Sequence, residues 1–227
     1  MKETNIANIF VMNGLDLIKA IINAWQIPPV HDNEKEECVM NNNQMSTVKL
    51  AKLAMMTAVS LVLLLLIRVP WPAAPFLVYD PADVPIYITA FAFGPVEGLV
   101  VTLLVCLIQA FGLAGDGFYG FIMHFVATGI VAVAIGLIYR KQKTKKTAIK
   151  ALVIGVIISV VIMCIMNLIV TPIYMGAPRA AVAAMIPTVI IPFNLVKAGA
   201  NSLLTFLLYK RISGLLHGSG RTVQAEQ

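Results

Sequence analysis

Residues 192–197 read PFNLVK and lie inside a run that is otherwise apolar enough to cross a bilayer. Asn194, Lys197 and Asn201 stand at i, i+3 and i+7, so a helix puts all three on one face. A lysine at the middle of a membrane costs at least about 2.5–3.5 kcal/mol unless it faces a polar cavity or a partner. That face therefore cannot look at lipid. Counting inward from Pro187, Asn194 lies about 10 Å deep and Lys197 about 15 Å deep at 1.5 Å per residue. Pro192 has no N–H to give the carbonyl of Thr188, and irregular backbone at such depth is tolerated where it lines protein or water.

The chemistry on offer is hydrogen bonding with one fixed positive charge. Asn167, in the preceding apolar run, reaches a depth close to that of Asn194. Taken alone, an intramembrane asparagine serves equally well as glue between helices. Gln109, His124, Thr171 and Tyr174 fall near the same ends of their runs, and a lone histidine there is more often packed than a ligand. An Asn–Asn–Lys group at one level suits a neutral or weakly acidic heterocycle with carbonyls and ring nitrogens, its flat faces held by apolar side chains. No acid is expected at the depth of Lys197. Glu97 and Asp116 are assigned to the two ends of the spans. Asp80, Pro81 and Asp83 read as N-cap, first residue and third residue of a helix start, with ligand contact the lesser reading of the two acids. An ion pair or proton relay through Lys197 is thus not expected, and its partners are read as uncharged.

These residues need a membrane scaffold. The chain has 227 residues, 59% hydrophobic and 12% charged, where a soluble domain carries about 25% charged residues. The pattern predicts an all-α integral membrane protein with six transmembrane helices. Their ranges are 47–69, a short one at 80–94, 96–113, 118–139, 151–170 and 187–209. The short span holds only about fourteen residues, or roughly 21 Å, so its neighbours must partly enclose it. VPWPAAPFLVYDP (69–81) is too rich in proline to be helical. The loop 140–150 holds six basic residues and no acid, which places both termini on the cytoplasmic side. The basic charge is thereby an orientation signal, and no nucleic-acid partner is implied. Cys38, Cys106 and Cys164 show no metal spacing. Residues 1–46 read either as an interfacial helix with a solvated linker or as a mis-assigned start, 47–212 as the membrane domain, and 213–227 as a polar tail.

LVYDPADVP (77–85), FGPVEG (93–98) and IPFNLVK (191–197) resemble the substrate-binding (S) components of energy-coupling-factor (ECF) transporters, and specifically the riboflavin-binding one. The likeness covers residues 47–212. It implies a multi-pass protein of the bacterial cell membrane with an outward-facing vitamin pocket, capped by the 70–80 loop with Trp71, Phe76, Leu77 and Tyr79. It implies riboflavin as the transported ligand, with no cofactor bound for catalysis and no metal. Asn194 and Lys197 match the family's flavin-holding residues by motif and Asn167 by position; Leu77 and Tyr79 join them from the lid. Ala54 and Ala58 match the family's AxxxA motif, which packs against a transmembrane coupling subunit served by two cytoplasmic ATPase subunits. Small residues at that spacing allow close helix approach in lipid, although alanine is common in any span.

The chain contains no G-x-x-x-x-G-K-[ST] phosphate loop, so ATP would act through those partners, and the chain reads as a transport subunit rather than an enzyme. Two other readings stand beside it. A stand-alone secondary carrier for a flavin or another heterocycle predicts an internal repeat, which the sequence does not display. An intramembrane enzyme needs a nucleophile with a base, or a metal cluster, and the polar residues are too scattered for either.

Overall fold

The computed structural model describes residues 47–113 and 117–218. The readings made for residues 1–46, for Asp116 and for the end of the tail lie outside the described residues. The order is α1 (Thr47–Leu66), β1 (Val69–Trp71), β2 (Ala74–Tyr79), α2 (Asp83–Ala92), α3 (Pro95–Ile108) and a π-helical turn (Gln109–Leu113). Then come α4 (Gly117–Lys141), α5 (Lys145–Met175), α6 (Arg179–Met185), a second π turn (Ile186–Ile190) and α7 (Ile191–Gly218). Among the described residues five stretches are long and apolar enough to cross a bilayer, the fifth being Arg179–Tyr209; α2, with ten residues, is not.

The short helix α2 is the hub. It packs against α1, α3, α4 and α7, and every residue from Val84 to Phe91 is buried. Its apolar side chains thus face protein all round, which is the enclosure that its length requires. At its far end Gly94, with φ of 126°, turns the chain into α3, and Pro95 and Glu97 open that helix with a fixed φ and a charge suited to its dipole. Glu97 also pairs with Lys49 of α1. Gly136 of α4 lies against this turn so closely that a Cβ would sit 2.9 Å from Pro95 Cα.

Three boundaries differ from the sequence reading. The proline-rich segment is an antiparallel hairpin, with Val69 opposite Tyr79 and Pro70 opposite Val78, so the fold is not wholly α. Each strand has a free edge, where a proline costs no ladder bond. Such a ribbon needs packing to persist, and Ala74 and Leu77 supply it by clustering with Phe193 of α7, while Trp71 meets Phe193 edge-on at 5.6 Å. Helix α5 does not stop before Pro172 but continues through it to Met175. The last span begins earlier than Pro187, at α6, and passes through the π turn in front of Pro192; at its other end α7 continues to Gly218.

On the side of α2 away from the hairpin the core is aromatic. Phe91, Tyr139 and Tyr209 pack at centroid distances of 4.7–5.6 Å, and the two tyrosine hydroxyls are hydrogen-bonded.

Candidate functional site

Beneath the hairpin lies a cavity of about 330 Å³, within the range of small-molecule sites. Its walls come from the hairpin, the start of α2, the α3 π turn, and α4, α5 and α7. Of the residues singled out in the sequence, Asn167, Asn194, Lys197 and Leu77 all line it. Tyr79 does not; it packs with the cluster that seats the hairpin on α7. Ala54 and Ala58 are remote from the cavity, exposed together with Ala51 on the outer face of α1.

The two asparagines are fixed by their own helices. Asn167 Nδ2 donates to Met163 O at 2.8 Å, and its Oδ1 accepts from the Thr171 hydroxyl at 2.9 Å. Asn194 Nδ2 donates to Ile190 O at 2.8 Å, at the junction of the π turn and α7. Its Oδ1 accepts no hydrogen bond among the described residues, and the residue is 3% exposed. An asparagine held in this way presents its amide without losing rotamer freedom on binding.

Lys197 departs from the sequence reading. Its Nζ donates to Asp80 Oδ2 at 2.8 Å and to Val78 O at 3.3 Å. The expectation that no acid reaches its depth is therefore wrong. That estimate left Asp80 at the outer end of its span, whereas the hairpin folds inward and carries Asp80 down to Lys197. The helix-start reading is corrected with it. Helix α2 begins at Asp83, after Ala82, and no side chain caps it. Asp80 Oδ1 accepts from the Ala82 N–H at 3.2 Å, so both carboxylate oxygens are engaged in the buried segment ahead of the helix.

Asn201, one turn below Lys197, completes the frame. Its Nδ2 donates to Asp80 O and to Asp83 Oδ2, both at 3.1 Å, and Thr128 of α4 donates to Asp83 Oδ1 at 3.0 Å. Asn201 is wholly buried and its Oδ1 has no protein partner among the described residues. Helices α7 and α4 thus grip the 78–83 segment from two sides.

The remaining polar lining was partly visible in the sequence. Gln109, His124, Thr171 and Tyr174 face the cavity, as their positions near the ends of the runs suggested. Asp80 and Asp83, for which a helix start is the preferred reading and ligand contact the lesser one, also line it, as do Thr128 and Arg68, which the sequence does not single out. The signal that could have found the two acids is the spacing of Lys197 and Asn201, which matches a pair of carboxylates three residues apart where the hairpin runs into α2.

Comparison with known proteins bears on this arrangement. The family model described as ECF transporter, substrate-specific component, matches residues 48–209. The riboflavin transporter RibU of Staphylococcus aureus is 31% identical over 181 residues, which is 77% of this chain and 95% of that protein. RibU of Streptococcus thermophilus is 30% identical over 180 residues, 75% of this chain and 85% of that protein. The riboflavin transporter FmnP of Bacillus subtilis is 27% identical over 164 residues, 67% and 85% of the two chains. A solved structure described as the S component of a bacterial ECF transporter superposes with a TM-score of 0.66 at 29% identity, covering 76% of this chain and 99% of that one.

Proposed function

The chain belongs to the substrate-specific components of ECF transporters, and from that premise we propose that it captures riboflavin and hands it to an ATP-driven partner module. The family is a transporter component and not an enzyme, and the chain is a multi-pass protein of the cell membrane. The observation that carries the substrate is the one cavity that collects Asn167, Asn194 and Lys197 under a hairpin lid. A flavin ring offers carbonyl oxygens, ring nitrogens and an N–H along one edge. Amide groups from α5 and α7 complement that edge, while Leu77, Met123, Met163 and Phe193 cover the ring's apolar surface. The three riboflavin transporters among the relatives support the same ligand.

In this reading α2 counts as a sixth, shortened span, and the basic 140–150 loop and both termini face the cytoplasm. Riboflavin enters from outside and the 69–79 hairpin closes over it. The exposed alanine stripe of α1, Ala54 and Ala58, then meets a transmembrane coupling subunit. Two cytoplasmic ATPase subunits supply the free energy that reorients the loaded protein.

The test is a fluorescence titration of purified protein stripped of endogenous ligand. Trp71 sits in the hairpin and Trp25 lies elsewhere in the chain, so a Trp25→Phe variant isolates the hairpin signal. Quenching by riboflavin at submicromolar concentration, with none from thiamine or biotin, is the expected result. A response to one of the other vitamins and none to riboflavin would keep the family and discard the substrate.

A further inference from the structure

The cavity holds more charge than its ligand requires. Lys197 from α7, Asp80 and Asp83 around the start of α2, His124 from α4 and Arg68 after α1 all line it, with the phenols of Tyr119 and Tyr174 at α4 and α5. Among these, Lys197 and Asp80 form the tight pair, 2.8 Å apart with side chains 11% and 6% exposed. We propose that Asp80 determines specificity by neutralising Lys197, so that the site selects an uncharged ring over the anion of the same ring. This inference rests on the flavin reading above.

The selection is electrostatic. An isolated buried ammonium would attract a ring anion strongly, because few water dipoles remain to screen it. With a carboxylate at hydrogen-bond distance, an anion near Lys197 gains from one charge about what it loses to the other. A neutral ring loses nothing, since its carbonyl oxygens and N–H groups interact with local dipoles. Geometry holds the neutralising group in place. Asp80 Oδ1 is fixed by the Ala82 N–H, its backbone carbonyl by Asn201, and the preceding carbonyl of Val78 by Lys197 itself. The carboxylate therefore cannot swing away when a ligand arrives.

Riboflavin makes this measurable. Its ring carries an imide N–H between two carbonyls, which loses a proton in alkaline solution to give an anion with a different absorption spectrum. The experiment is a pH titration of the absorption of riboflavin bound to wild-type protein, Asp80→Asn and Lys197→Gln. Removing Asp80's charge leaves the ring anion and Lys197 as each other's partners. The midpoint in Asp80→Asn should then fall by about 1–3 pH units relative to wild type. Lys197→Gln takes the ammonium from beside the ring and leaves the carboxylate there, and its midpoint should rise. Shifts of opposite sign cannot come from loosened packing, which would move both variants toward free riboflavin.

An unchanged midpoint in both variants, or shifts in one direction, overturns the proposal. Should Asp80→Asn not fold, the wild-type midpoint decides: close to or above that of free riboflavin for the proposal, and well below it against. Wild-type protein that binds no riboflavin would instead sink the flavin reading, and this inference with it.

Discussion

Lys197 and Asp80 stand 117 residues apart in the chain and 2.8 Å apart in the fold. Each lies on an element that the other stabilises: Lys197 holds the carbonyl of Val78 in the hairpin, and Asp80 sits where the hairpin runs into α2. A buried pair of this kind adds little stability over an apolar replacement, but removing one partner strands the other at a cost of about 3–5 kcal/mol.

Lys197→Met should therefore lower the melting temperature of the ligand-free protein, and Asp80→Leu should do the same. The double variant should melt close to wild type, because no buried charge is left alone. Thermal unfolding of the three proteins in one detergent checks this. Equal losses that simply add in the double variant would show that the two residues do not act on each other.

Asn194 and Asn167 should differ in their effect on binding. Asn194 keeps an oxygen that accepts no bond among the described residues, whereas Asn167 uses both ends of its amide within α5. Replacing Asn194 by leucine should cost about 1–3 kcal/mol of riboflavin affinity, roughly a 5- to 150-fold rise in Kd. Asn167→Leu should cost less. Calorimetric titration of both variants reads the difference directly.

Replacing Ala54 and Ala58 together by tryptophan should abolish riboflavin uptake by cells and leave binding by the purified subunit intact. Both alanines are exposed and distant from the cavity, so the bulk can harm only what docks there. Uptake that survives would remove this stripe from the coupling surface.

Gly136→Val should destabilise the protein by about 1–3 kcal/mol, because even a single Cβ would sit 2.9 Å from the backbone of Pro95. The loss should appear in the melting temperature of the ligand-free protein. A stability equal to wild type would mean that α3 and α4 can part without cost.

The long helices were legible because hydrophobic runs of bilayer length have few other uses. The polar face of α7 was legible for the same reason, since Asn194, Lys197 and Asn201 break such a run at helical spacing. The hairpin was legible only as a non-helical segment: prolines exclude a helix but do not say how deep a loop folds. The Asp80–Lys197 pair was missed on that account, as depth had been counted along helices with the loop left at the surface. Asp83 was placed as a helix-start residue, and only the tertiary fold brings Thr128 and Asn201 to its two oxygens. The continuation of α5 through Pro172 was missed too. A proline forfeits one backbone bond, and near the end of a helix the chain tolerates that loss.

The aromatic packing of Phe91, Tyr139 and Tyr209 has a consequence for the cell's energy economy. A cup that is open to the medium and polar inside is also a path for protons and small ions, and a bilayer under voltage drives them down any continuous thread of water. Three close-packed rings, two of them joined through their hydroxyls, stand where such a thread would have to pass beyond α2. A subunit plugged at this level would hold an empty cup without short-circuiting the ion gradients around it.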